Sequence, residues 1–119
     1  MEIKNLVEQV HETMCEKGFW DDEHGILNKI LKNPEFTDSE YQAVQKAFMS
    51  QRLMLTVSEL SEALEALRDD DTDNFAEELA DTVIRVSDIS GGYGWNLDGY
   101  VFEKMAKNKR RARKHGRSF

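Results

Sequence analysis

LMLTVSELSEALEALR, residues 53–68, returns to an apolar side chain at steps of three and four: Leu53, Val57, Leu60, Leu64 and Leu67. That is the period of an α-helix with one dry stripe, not the alternation of a strand. Thr37 with Glu40 reads as a capping box, so the spacing predicts one long helix from there to about Leu67. Before it, Ile3, Leu6, Val7, Val10 and Met14 predict a first helix over about residues 2–17, ended by Gly18. FWDDEHG (19–25) reads as a loop or short turn, and ILNKILKN (26–33) as a short helical segment that must stop near Pro34. After it, RDDDTDN (68–74) breaks the helix, and Asn74 with Glu77 is placed to cap the next, whose stripe is Phe75, Leu79, Val83 and Val86. GGYGWN (91–96) closes that helix, and a last one starts near Asp98. The expected fold is all-α: a small antiparallel bundle of four to five helices, one domain over residues 1–119.

The bulk properties agree with a helical protein and exclude several others. No apolar run approaches the length of a membrane span, and the N-terminal MEIKNLVEQVHE lacks the apolar stretch of a signal peptide. Cys15 is the single cysteine, so no internal disulfide can form, and a cytoplasmic location is expected. The net charge of −7 conceals a division: residues 1–103 carry all 23 acids at a formal −15, whereas residues 104–119 carry +8 and no acid. Such a basic block suits a solvated tail, a nucleic-acid arm, or a set of cations for a polyphosphate held by acids elsewhere.

Three patterns resemble sites and fail on chemistry. In DDDTDNFAEELA, Asp69, Asp71 and Asp73 stand at the first ligand positions of an EF-hand, but Asn74 replaces the turn glycine and Ala80 the closing glutamate. GGYGW follows no strand and precedes no Gly-Lys-Ser/Thr, so it is not a phosphate loop. His11, His24 and His115 have no ligand spacing with one another or with Cys15.

Two acidic pairs remain. Glu59 and Glu62 are three apart in SELSE, and Glu78 and Asp81 are three apart in EELAD, so each pair shares a helix face. If the helices form an antiparallel hairpin about RDDDTDN, the pairs stand at comparable heights and four carboxylates converge. Two such charges at 4 Å repel by about 4 kcal/mol at an effective dielectric of 20, which calls for a cation. Hard divalent ions with oxygen ligands, Mg²⁺ above all, meet that need. The alternative is two ordinary wet faces. Glu59 and Glu62 share a strip with Leu55, Ala63 and Ala66, whereas Glu78 and Asp81 lie with Glu77, Arg85 and Asp88 on a polar side.

LMLTVSELSEALEALR, then EELADTVIRVSD, then EKMAKNKRRARKHGRSF, in that order, resembles the MazG-type nucleotide pyrophosphohydrolases of the all-α NTP pyrophosphatase superfamily. The family pairs an ExxE helix with a following ExxD helix, matched by Glu59, Glu62, Glu78 and Asp81. Its C-terminal pattern is matched by Lys104, Asn108, Arg111, His115, Gly116 and Arg117, and KGFW (17–20) resembles its Lys-Gly-aromatic segment.

The resemblance implies metal-dependent cleavage of a ribo- or deoxynucleoside triphosphate between the α- and β-phosphates, releasing a monophosphate and pyrophosphate. It makes Glu59, Glu62, Glu78 and Asp81 the ligands of Mg²⁺, with Mn²⁺ as a substitute, and leaves open which of them activates water. Lys104, Asn108 and Arg111 become phosphate-binding residues on one helical stripe. Phe19 or Trp20 could stack on a base or pack in the core, and Tyr93 and Trp95 are further aromatic candidates. Relatives assemble as dimers or tetramers, so a homodimer or homotetramer is expected, with no membrane partner and no nucleic acid. The competing reading is a non-enzymatic helical module that binds nucleic acid through its basic C-terminal segment, opposed by the −15 of the main body. A relative directed at dUTP or phosphoribosyl-ATP is a third possibility.

Overall fold

Thr37 opens the longest helix as its spacing with Glu40 predicts. Its hydroxyl accepts from the Glu40 amide at 3.1 Å, and Glu40 Oε1 accepts from the Thr37 amide at 3.0 Å. The computed structural model describes residues 2–111 and Arg113. Among these, all regular structure is helical: α1 Ile3–Glu16, α2 Asp21–Lys32, α3 Asp38–Arg68, α4 Thr72–Tyr93 and α5 Leu97–Arg110. Among the described residues, no helix is long and apolar enough to cross a membrane. His115, Gly116 and Arg117 lie outside the described residues.

Three local expectations need correction. The DDEHG of the presumed loop is the start of α2, because Asp21, Asp22 and Glu23 favour the positive end of the helix dipole. Asp71, not Asn74, caps α4: its side chain accepts from the Asn74 amide at 3.1 Å, so the helix begins at Thr72. Gly91 and Gly92 do not end α4, which runs on to Tyr93 and is closed by Gly94 in the left-handed region at φ 74°. Gly92 serves packing instead: a Cβ there would run into the Trp20 ring.

α3 and α4 form a hairpin turned by Asp69, Asp70 and Asp71, with Asp70 left-handed at φ 55°, a conformation that Asp tolerates better than most residues. α1 packs on α4, α2 on α3, and α5 on α1, where Asp98 accepts from the Lys4 amide at 3.1 Å. Trp20 is the centre of the assembly at 1% exposure. Its indole N–H donates to Asp88 Oδ1 at 2.9 Å, and the Arg52 guanidinium lies 3.4 Å from its ring centroid.

The expected dry stripes are not the faces on which the hairpin closes. α3 buries its small-residue face, Thr56, Ala63 and Ala66, while Leu53, Val57, Leu60, Leu64 and Leu67 are 47–58% exposed. On α4, Leu79, Val83 and Val86 are 38–50% exposed, whereas Ser87 and Asp88 are buried. Glu78, Thr82 and Arg85 are half-buried on the same helix. Small side chains let two helices approach closely, and the bulky apolar rows are turned outward by the same rotation.

Candidate functional site

The inward rotation of α3 and α4 brings the acidic pairs together. Glu59 follows Thr56 on the buried face of α3, and Glu78 and Asp81 lie in the first turns of α4. Glu59, Glu78 and Asp81 each offer a carboxylate oxygen within 4.8 Å of the other two, a spacing suited to a shared cation. Glu62 is the outer member: it helps to line an open cleft of about 350 Å³ with Glu65, Asp69, Asp71 and Glu78.

The electrostatics of this group are out of balance. Glu78 Oε2 is buried without a hydrogen-bond partner among the described residues. Its carboxyl is pushed up to about 7, first by burial and then by hydrogen bonds with Glu59 and Glu62 and the charges of Glu62 and Asp81. Glu59 is held below the usual carboxylate range, chiefly because Arg85 Nε donates to its Oε1 at 2.9 Å. A cation at Glu78 Oε2 would ease the imbalance, and hard oxygen ligands with one orphaned atom suit Mg²⁺ or Mn²⁺.

A second cavity, of about 400 Å³, opens beside Arg85. Phe19, Ile26, Phe48 and Leu55 give it apolar walls, with Asp22, Glu23, Arg52 and Asp88 among its polar groups. The size and the mix of apolar wall with few polar groups are those of a small-molecule pocket. A polar network fixes its floor. Glu23, 3% exposed, accepts from Arg52 Nε at 3.2 Å and from the Tyr93 hydroxyl at 2.8 Å. Burial, then Glu23, pushes the Tyr93 phenol up to about 12. His11 Nδ1 lies 2.8 Å from Asp88 Oδ1 and its Nε2 lies 3.4 Å from Cys15 Sγ. Burial, then the charges of Asp88 and Asp21, raise the Cys15 pKa, which disfavours the reactive thiolate.

The other sequence-derived candidates fall in different places. Phe19 is 59% exposed at the cavity rim, free to meet a ligand ring. Trp20 is a core residue whose face carries Arg52, so no base reaches it without displacing that guanidinium. Lys104, Asn108 and Arg111 lie on or just beyond α5, which packs on α1, and no α5 residue lines either cavity beside the acids. Arg85, Glu23, Arg52 and Asp88 are the groups that sequence reasoning did not single out for function. The one signal available was that Arg85 and Asp88 share the polar side of α4 with Glu78 and Asp81. Comparisons with protein-family models, with curated proteins and with solved structures each returned no match.

Proposed function

We propose that the protein is a metal-dependent nucleoside triphosphate pyrophosphohydrolase, giving a nucleoside monophosphate and pyrophosphate. The observation that carries the reading is the orphaned, buried Glu78 Oε2 within a group of carboxylates whose one ion-paired cation, Arg85, is bound to Glu59. A nucleoside-sized cavity beside that group supports it, as does the ordered resemblance of the three sequence blocks.

Glu59, Glu78 and Asp81 hold the ion, with Glu62 beside them. Mg²⁺, or Mn²⁺ in its place, would supply Lewis-acid polarisation of the phosphoryl oxygens and a water acidic enough to attack near neutral pH. The cavity takes the nucleoside, with Phe19 available at its rim. Lys104, Asn108 and Arg111 serve the phosphates from a neighbouring subunit, since α5 packs on α1 and lines neither cavity beside the acids of its own chain. The outward apolar rows of α3 and α4 are the contact between subunits of a homodimer or homotetramer.

The test is a panel of ribo- and deoxynucleoside triphosphates with Mg²⁺, separating pyrophosphate from orthophosphate. The expected products are pyrophosphate and monophosphate, abolished by a chelator. Glu78→Gln and Asp81→Asn should each lower the rate by at least about 100-fold, the upper end of what losing a metal's outer partner costs. Orthophosphate as the sole product, or substantial turnover in both variants, overturns the reading.

A further inference from the structure

Arg85 is the cation that the motif passes over. It lies on α4 one turn beyond Asp81, and its Nε donates to Glu59 Oε1 at 2.9 Å, tying α4 to α3 at the carboxylate group. The same side chain lines the cavity of about 400 Å³ whose walls include Phe19, Ile26 and Leu55. It therefore touches both halves of the candidate site. The guanidinium is a fork of donors that suits phosphate as well as carboxylate. Glu59 is satisfied through Nε, and no other described residue is hydrogen-bonded to the two terminal nitrogens. Arg52, the other arginine on the cavity, is committed: it stacks on Trp20, donates to Glu23 and donates to the Phe19 carbonyl.

We propose that Arg85 is a substrate-phosphate-binding residue, with one edge on Glu59 and the other open to the phosphate nearest the nucleoside. This rests on the pyrophosphohydrolase reading, because a nucleotide with its nucleoside in the cavity and its phosphates on the acids must pass Arg85. The assignment carries two consequences of opposite sign. Before substrate arrives, the guanidinium neutralises Glu59 and competes with a divalent ion for that carboxylate. Once a triphosphate is bound, its oxygens accept from the free edge, and the same residue contributes affinity.

The experiment measures two binding constants on full-length protein and on Arg85→Gln and Arg85→Lys, with helicity checked by circular dichroism. One is for Mn²⁺ alone, by electron paramagnetic resonance of the free ion. The other is for α,β-methylene analogues of the four common deoxynucleoside triphosphates at saturating Mn²⁺, by calorimetry. Arg85→Gln should bind Mn²⁺ several-fold more tightly and the best analogue about tenfold more weakly, the loss of roughly one charge-assisted hydrogen bond. Arg85→Lys should keep Mn²⁺ affinity near that of the parent and recover only part of the nucleotide affinity, because a point charge cannot span Glu59 and phosphate together. Analogue affinity unchanged in Arg85→Gln, or analogue and Mn²⁺ affinities falling together in both variants, makes Arg85 a strut between helices and overturns the proposal. A parent protein that binds neither Mn²⁺ nor any analogue overturns the pyrophosphohydrolase reading itself.

Discussion

At the scale of single residues, Glu78 makes the site testable without any substrate. Burial, then Glu59, Glu62 and Asp81, push its carboxyl up to about 7 from 4.5. Between those two values the folded chain holds a proton that the unfolded chain has lost. The contribution of Glu78 to stability is thus full below about pH 4.5 and is lost as the pH rises toward about 7. Glu59 moves oppositely: Arg85 lowers its pKa, so its contribution is present above the unfolded value and lost only in more acid solution. If the proposed divalent ion binds at Glu78 it must displace a proton there, so metal and proton would compete. The rise in melting temperature caused by Mg²⁺ should be small near pH 5 and grow until it levels off above about pH 7, read by thermal scans with and without the ion. In Glu78→Gln the residual Mg²⁺ effect should no longer change through that range. A Mg²⁺ shift in the parent protein that is flat with pH would mean that Glu78 does not bind the ion.

At the scale of helices, Gly92 shows how a local rule and a packing rule compete for the same residue. Glycine inside a helix costs about 1 kcal/mol relative to alanine, so Gly92→Ala would be stabilising on propensity alone. The Trp20 ring occupies the space of the missing Cβ, and Trp20 is held by Asp88 and Arg52. Overpacking of that kind costs about 1–3 kcal/mol or more, so Gly92→Ala should destabilise, as a lower urea midpoint with an unchanged slope. A neutral or raised midpoint would show that the ring can move aside. The same conflict explains what could be read from the chain in advance. Thr37 with Glu40 fixed the start of α3 because a cap depends only on neighbours in sequence. Gly91 and Gly92 misled because their reason is far away in sequence, at His11 and Trp20 respectively. The acids of the site were legible as pairs at helical spacing, whereas Arg85 was not, since its role arises only when α4 meets Glu59 across the hairpin.

At the scale of the molecule, the two central helices are turned with their polar rows toward each other and their large apolar rows outward. Periodicity had marked Leu53, Val57, Leu60, Leu64 and Leu67 as dry, and in a single chain they are 47–58% exposed. Leu79, Val83 and Val86 on α4 continue that surface at 38–50% exposure. Rows at steps of three and four on two adjacent antiparallel helices match the half of a four-helix bundle, and a second copy of the same hairpin is the simplest complement. The pattern that fails to describe the single chain would then describe the proposed homo-oligomer. Sedimentation should give a mass that is an integer multiple, two or four, of 13.8 kDa. Leu60→Glu and Val83→Glu should shift it to the monomer, because a two-fold interface buries each new charge twice. Burying even one charge without a partner costs several kcal/mol, enough to weaken association by at least about 100-fold. If phosphate binding by Lys104, Asn108 and Arg111 is completed across that interface, dilution below the dissociation point should lower turnover per subunit. Melting of the charged monomers should also become independent of protein concentration, as it is not for an obligate assembly. A parent protein that sediments at 13.8 kDa and hydrolyses nucleotide at the same rate per chain on dilution would leave the outward stripe unexplained and return the basic helix to its own subunit.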